Sequence, residues 1–267
     1  MRFFSFENYW IFHTLTLYFT YRTIMAEELL RIPTSNYKYI YWVYSKVDQP
    51  KWLIIFIHGL TASQNEPMIA HGQTYFNAKW YSTFRFDLYG NRPDARKLIS
   101  TDLKDHITDV NKIIAHFLNQ GVEKIILMGH SFGWLTILYS DLTHVSSIVL
   151  RDSSIGGEEL LNDVDYSEVS DSYFINWWDN FIYPIGKSMY QDFSIPPAIH
   201  LEQIQKIHLP IAIIWTEYGL RKAAKSYYDV ANEPKKLHIV QSASHCFPEP
   251  GAEKELYEVS LEWIERK

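Results

Sequence analysis

Cysteine is nearly missing from this sequence, which has one, Cys246, among its 267 residues. A single cysteine cannot close an internal disulfide, so the disulfide-stapled scaffolds of small secreted proteins are excluded. Positive charge is also scarce, because 25 Lys and Arg stand against 31 Asp and Glu, a formal net charge of −6. With no basic excess to neutralise phosphates, we expect no nucleic-acid partner.

A long apolar run is missing as well. The most apolar N-terminal stretch, from Tyr9 to Phe19, is interrupted by His13 and several threonines. It falls short of the roughly 20 apolar residues that cross a bilayer, and no small-residue cleavage site of a secretory signal follows it. We therefore expect a leader of uncertain role over residues 1–25, no membrane partner and a cytoplasmic protein.

Motifs for metals and nucleotides are not found either. The sequence has no H-E-x-x-H pair, no P-loop and no dinucleotide-binding fingerprint. The histidines without metal-ligand spacing are His71, His106, His116, His144, His200, His208 and His238. We expect chemistry that uses no cofactor and no metal.

The sequence does contain a repeated alternation of short apolar runs and helical stretches. The predicted strands are Ile40–Tyr44, Trp52–Ile57, Ser82–Phe86, Lys124–Met128, Ser146–Leu150, Pro210–Trp215 and Leu237–Val240. The predicted helices cover about 107–118, the residues after Ser131, 223–230 and 256–264. This alternation predicts one α/β domain, residues 26–267, with a mostly parallel central sheet and helices on both faces.

One interval breaks the alternation. Residues 153–209 far exceed the loops of about two to six residues that are usual in α/β units, and they are rich in aromatic residues, which disordered segments lack. We expect a helical lid here, with Trp177, Trp178 and Phe181 against the substrate. Two interpretations stay open: the rings contact an apolar or aromatic substrate group, or they form the core of the lid itself.

The segment Gly129-His130-Ser131-Phe132-Gly133 matches the pattern G-x-S-x-G. A predicted strand ends at Met128 and a helix follows Ser131, which is the strand–turn–helix setting that this nucleophile motif requires. The two glycines leave room for a sharp turn that presents the serine hydroxyl. Ser131 is therefore the candidate nucleophile.

His245 is the candidate general base. It follows the last predicted strand, and a serine early in the chain with a histidine late is the order typical of this motif. The backbone N–H groups of Leu60, after the second predicted strand, and of Phe132, after the nucleophile, are the expected donors of an oxyanion hole.

These features resemble the α/β-hydrolase superfamily, and within it the bacterial cinnamoyl/feruloyl esterase-like serine hydrolases. Beside the serine motif, the resemblance is carried by His58–Thr61, Asn65–Pro67, Phe84–Asp87, Ser244–Phe247 and a lid inserted between the family's sixth and seventh strands. It extends from Trp52 to the C-terminus. It implies an intracellular carboxylesterase that acts on a small-molecule ester and whose lid contacts an aromatic acyl group.

Three positions depart from the family's pattern. Trp134 stands where the family has glycine, which predicts crowding of either the helix packing or the pocket. A turn at Tyr89–Pro93 replaces the usual His-Gly after Asp87, so we expect Asp87 to be structural. Gly219 stands where the family places the acid that orients the histidine.

Two carboxylates are candidates for that missing acid. Asp152 directly follows a strand, and Glu217 lies two residues before Gly219. Asp152 is favoured because its shorter side chain loses less entropy when it is held in place. A serine–histidine pair without any acid is the third possibility, since such a pair retains some catalysis.

The sequence leaves other functions open. A thioesterase or acyltransferase would use the same residues on a thioester substrate or with another acceptor. Gly219 and Trp134 favour a different class, a non-catalytic binding protein that kept the fold and lost its acid, whereas Ser131 and His245 favour an enzyme. The sequence gives no indication of oligomeric state.

Removing residues 1–24 should leave the melting temperature and the activity largely unchanged, because this segment lacks the strand–helix alternation of the domain. Thermal unfolding and ester hydrolysis of the truncated and full-length chains check this. A large drop in melting temperature would show that the leader packs against the domain.

Overall fold

The computed structural model describes residues 27–33, 38–50, 52–156, 164–176 and 181–266; for residues 27–32 only the backbone is described. The predicted leader, residues 1–25, and two of the three aromatic residues assigned to the substrate, Trp177 and Trp178, lie outside these ranges.

The strands within the described ranges form two sheets. They are β1 (Glu27–Pro33), β2 (Tyr39–Ser45), β3 (Leu53–Ile57), β4 (Ser82–Phe86), β5 (Ile125–His130), β6 (Val145–Arg151), β7 (Val164–Ser167), β8 (Ser172–Asn176), β9 (Ile182–Ile185), β10 (Ile211–Thr216) and β11 (Lys235–Val240). Eight of them form the central sheet in the order β1-β2-β4-β3-β5-β6-β10-β11. Only the pairs of β2 with β1 and with β4 are antiparallel, so the predicted mostly parallel sheet is confirmed.

Helices cover both faces of this sheet. They are α1 (Pro67–Asn77), α2 (Leu103–Asn119), α3 (Gly133–Leu138), α4 (Lys187–Phe193), α5 (Pro197–Ile204), α6 (Arg221–Val230) and α7 (Ala252–Ile264). Helices α1 and α7 pack in the core on one face, and α2, α3 and α6 pack on the other. Because both faces are buried, a strand such as β3 is apolar at every position. No helix in the described part of the chain combines the length and apolar character needed to cross a membrane.

The insertion differs from the helical lid that the sequence predicts. Its described part contains a three-stranded antiparallel sheet, β7-β8-β9, followed by the two short helices α4 and α5. The rings of Tyr173 on β8 and Tyr190 on α4 stack at 3.8 Å, so an aromatic contact joins the small sheet to a helix. Ile175 and Ile185 of this small sheet are fully buried. The expectation of a helical lid was therefore wrong for the part that forms the sheet, whereas the later part of the insertion does contain the helices α4 and α5.

Two elements outside the insertion, β1 and α1, were not predicted. Strand β1 pairs with β2 at the edge of the central sheet and carries charged residues at its start, so its apolar pattern is weak. Helix α1 begins with Pro67 in its first turn, a position that tolerates proline because no intrahelical N–H bond is needed there. Its buried side chains include Met68, Ile69 and Phe76.

Helix α3 packs unusually close to the end of β3. A Cβ atom on Gly133 would lie 2.5 Å from the backbone oxygen of His58 and 2.7 Å from that of Ile57. The helix that follows Ser131 can therefore approach the loop after β3 only because residue 133 has no side chain. This contact fixes the distance between the serine turn and the neighbouring loop.

Gly133→Ala should lower the free energy of unfolding by about 1–3 kcal/mol, because the added methyl group overlaps backbone atoms that cannot easily move. Urea unfolding measures the change. Gly90→Ala is the matched control, since a Cβ there would lie at an ordinary 3.7 Å from the Ala95 side chain. Equal stability of the Gly133→Ala and Gly90→Ala variants would contradict the close approach.

Candidate active site

Ser131 lies on the sharp turn between β5 and α3. Its φ of 50° is in the left-handed region, which is strained for a residue with a side chain. Its backbone N–H donates to the Arg151 oxygen at 3.1 Å, so the neighbouring strand β6 supports the turn. The serine hydroxyl is consequently held at the carboxyl edge of the sheet, where ligands bind in open α/β folds.

The structure brings Ser131, His245 and Asp152 into one hydrogen-bonded series. His245 Nε2 lies 3.0 Å from Ser131 Oγ, and His245 Nδ1 lies 2.5 Å from Asp152 Oδ2. Because the carboxylate can only accept, the ring proton belongs on Nδ1 and the Nε2 lone pair faces the serine. In this tautomer the imidazole can take a proton from the hydroxyl.

Asp152 is fully buried, and donors surround its carboxylate. Oδ1 accepts from the Thr216 N–H at 3.0 Å and from the Thr216 hydroxyl at 3.1 Å. Oδ2 accepts from the Leu220 N–H at 3.0 Å as well as from His245. Burial alone would raise the pKa of Asp152, but the bond to His245 and the backbone N–H bonds outweigh it and lower the pKa.

Gly219 is explained by the same carboxylate. A Cβ atom at residue 219 would overlap Asp152 Oδ2 and the Thr216 hydroxyl. The turn after β10, where the family places its acid, thus wraps around the carboxylate of Asp152, which follows the end of β6. Glu217, the alternative acid, instead accepts a hydrogen bond from the Ser242 N–H at 2.8 Å.

Two polar residues near His245, His130 and Glu66, have contacts that the sequence analysis did not predict. His130 Nε2 is 3.0 Å from the His245 backbone oxygen, and the two rings lie 4.7 Å apart. Glu66 faces the other ring nitrogen of His130 at 3.7 Å. Burial would raise the pKa of Glu66, but the interactions with its neighbours, of which His130 is the strongest, outweigh it and lower that pKa. His130 occupies the variable position before the serine, so the motif alone does not indicate its role.

The electrostatics favour a neutral His245. Burial lowers the pKa of His245 below its usual value, and Asp152 partly opposes that shift. His245 is therefore uncharged at neutral pH, with its Nε2 lone pair available.

The two predicted oxyanion donors lie beside the serine turn. Leu60 and Phe132 are buried, and their backbone N–H groups have no hydrogen-bond partner among the described residues. A Cβ on Gly59, the residue before Leu60, would lie 3.0 Å from the Ser131 Cβ, so this loop borders the serine.

Two departures from the family's pattern have structural explanations. Trp134 is fully buried and packs edge to face on Tyr227 of α6 at 5.4 Å, so it crowds the helix packing rather than the pocket. Asp87 accepts hydrogen bonds from the Gln64 N–H and side-chain amide, each at 2.8 Å, and it anchors the loop after β3.

A cleft of about 810 Å³ adjoins the loop after β3. Its walls include Thr61, Tyr89 and Leu98 from the sheet side, and Tyr183 and Pro184 from β9 of the insertion. Phe181, which the sequence assigns to the substrate, is 66% exposed and is not among the residues that line this cleft. The insertion thus borders the cleft through Tyr183 and Pro184, which carry no sequence signal of their own.

No group of three or more His, Cys, Asp or Glu side chains in the described ranges converges as a metal ion would require.

Comparisons with known proteins place this geometry in a fold. No protein-family model matches the chain, and no curated protein sequence matches it. Solved structures do match. Est1E from Butyrivibrio proteoclasticus, in a structure with ferulic acid bound, has 18% identity and a TM-score of 0.73 over 89% of this chain and 100% of that one.

Two further structures give the same result. The esterase domain of a Rhodothermus marinus protein has 15% identity and a TM-score of 0.70 over 90% of this chain and 98% of that one. The α/β hydrolase GrgF from Penicillium sp. sh18 has 14% identity and a TM-score of 0.73 over 91% and 99%. The predicted α/β-hydrolase fold is confirmed.

The pKa of His245 should lie below about 6.5, the usual value for histidine, and should fall further in Asp152→Asn, which removes the carboxylate that raises it. Glu217→Gln should leave it unchanged. NMR titration of the imidazole protons measures all three chains. An unchanged or higher pKa in Asp152→Asn would contradict the contact between the two side chains.

Proposed function

We propose that this chain is a serine hydrolase that cleaves a carboxylic ester through an acyl-enzyme. The observation that carries the proposal is the hydrogen-bonded series from Ser131 through His245 to Asp152. A serine hydroxyl is a weak nucleophile until an adjacent base, itself oriented by a third group, activates it. The likeness in fold to structures named as esterases supports the same class of reaction.

In the proposed first step, Ser131 Oγ attacks the acyl carbonyl carbon while His245 Nε2 takes the hydroxyl proton. The backbone N–H groups of Leu60 and Phe132 stabilise the negative charge that develops on the carbonyl oxygen. Asp152 remains ionised and stabilises the protonated imidazole. His245 then gives the proton to the departing alcohol, and the acyl group stays on Ser131.

In the second step, a water molecule replaces the alcohol. His245 accepts a proton from the water as it attacks the acyl-enzyme, and it returns that proton to Ser131 when the acid leaves. Because His245 must be neutral to start both steps, the rate should fall as the pH drops through its lowered pKa.

The substrate in this proposal is an ester of an apolar or aromatic acid, and the cleft beside the loop after β3 offers surface for such a group, although Ser131 and His245 are not among the residues that line it. Leu98, Ile99 and Pro184 supply apolar surface, and Tyr89 and Tyr183 supply rings. Est1E, which shares the fold, has been solved with ferulic acid, an aromatic acid. A thioester of such an acid would use the same residues, so the test includes both.

The non-catalytic alternative loses its main argument. Gly219 favours a binding protein only if the acid is missing, and Asp152 places a carboxylate against His245 in its stead.

Ser131→Ala should abolish hydrolysis of p-nitrophenyl esters, with a loss of several powers of ten, because the nucleophile is removed. The assay uses a panel of esters and thioesters, together with labelling by a fluorophosphonate probe. Ser140→Ala is the control; this serine donates to the Thr136 backbone oxygen and should remain dispensable for labelling. An alanine variant at residue 131 with an unchanged rate and a folded circular-dichroism spectrum would overturn the proposal.

A further inference from the structure

The backbone oxygen of Gly59 faces two side chains, those of His58 and Tyr89, that take no part in the proposed reaction steps, although the Tyr89 ring also lines the cleft. His58 Nδ1 lies 2.7 Å from this oxygen, and the Tyr89 hydroxyl donates to it at 3.2 Å. His58 is fully buried and Tyr89 is 8% exposed. Hydrogen bonds in such a dry environment hold a group more firmly than those at the surface.

The protonation of His58 follows from its other neighbour. The Leu88 N–H donates to His58 Nε2 at 3.0 Å, so Nε2 carries the lone pair and Nδ1 carries the proton. Burial lowers the pKa of His58, which keeps the ring neutral and preserves this arrangement. His58 therefore links the loop after β4 to the Gly59 oxygen.

Tyr89 reaches the same oxygen from that loop. Its ring packs edge to face on His58 at 5.3 Å and lies 5.8 Å from the ring of His106. Tyr89 belongs to the turn that replaces the family's His-Gly sequence. The roles of Ser131, His245 and Asp152 therefore do not account for the hydrogen bond from Tyr89 to the Gly59 oxygen.

A restrained carbonyl also restrains the N–H on the other side of the peptide bond. The peptide between Gly59 and Leu60 is trans, so the Gly59 C=O and the Leu60 N–H point in opposite directions. With the oxygen held toward His58 and Tyr89, the Leu60 N–H points away from them. Gly59 borders Ser131, so this N–H has a fixed direction next to the nucleophile.

We propose that Tyr89 and His58 are positioning residues that aim the Leu60 N–H at the oxyanion. This inference rests on the proposed function, because it assigns the reason for their contacts to the reaction at Ser131. Donors that are aligned before the reaction stabilise a transition state without reorganising, and a freely rotating peptide loses that advantage. The Tyr89 hydroxyl acts through the Gly59–Leu60 peptide.

The test is Tyr89→Phe, which removes the hydroxyl and keeps the ring. We expect kcat for a p-nitrophenyl ester to fall about tenfold, less than the roughly 10²–10³-fold loss when an oxyanion donor itself is removed. KM should stay within about twofold, because the ground-state ester carries little charge on its carbonyl oxygen. Rates are divided by the concentration of reactive Ser131, which is measured by titration with a fluorophosphonate. Unfolded protein therefore does not lower the measured kcat.

A pair of inhibitors distinguishes a loss of alignment of the Leu60 N–H from a nonspecific disturbance of the active site. The Ser131 hydroxyl adds to the carbonyl of a phenyl trifluoromethyl ketone, and the adduct carries an oxyanion. The matching alcohol has no carbonyl and forms no such adduct. Tyr89→Phe should weaken the binding of the ketone by the same factor as it lowers kcat. The affinity for the alcohol should not change. Tyr257→Phe is the matched control, because its buried hydroxyl also donates to a backbone oxygen, that of Met68 at 2.9 Å.

If Tyr89→Phe does not fold, the wild-type chain supplies a second measurement. The Leu60 amide proton should move downfield in the NMR spectrum when the ketone binds; an unmoved signal would overturn the inference. An unchanged kcat and ketone affinity in Tyr89→Phe would do the same, as would an equal loss in Tyr257→Phe. If Ser131→Ala is inactive while Tyr89→Phe is fully active, this inference alone fails; an active Ser131→Ala refutes the proposed function with it.

Discussion

A buried negative charge at Asp152 is the constraint on which the site depends. A carboxylate without solvent is costly unless donors surround it, and here each oxygen of Asp152 accepts two hydrogen bonds. Those donors come from β10, from the turn that opens α6 and from the loop after β11. Satisfying one charge therefore fixes three segments relative to β6, and the orientation of His245 follows from that arrangement.

The same edge of the sheet explains why part of the site is visible in the sequence. Parallel strands end at one edge, so residues that directly follow strands meet there whatever their separation along the chain. Ser131 follows a continuous apolar run and His245 follows the shorter last strand, and their 114-residue separation does not weaken the inference that they are neighbours. The central strands were predictable for a related reason, since burial on both faces leaves a continuous apolar signature.

Other parts of the structure depend on contacts that no local pattern encodes. The choice between Asp152 and Glu217 is decided by which carboxylate the turn at Gly219 encloses, a relation between distant segments. The prediction of a helical lid failed because aromatic residues fit a small sheet as well as a helix. Strands of only four or five residues also give a weak periodic signal in the sequence. Tyr183 lines the cleft only because of how that small sheet is oriented.

The Asp152 carboxylate also restricts which residues can stand at position 219. While the carboxylate comes from residue 152, any side chain at residue 219 would overlap it, so residue 219 is restricted to glycine. A search for a carboxylate directly after β10 therefore finds Gly219 there, whereas the positions of the residues in space show the carboxylate of Asp152 against His245.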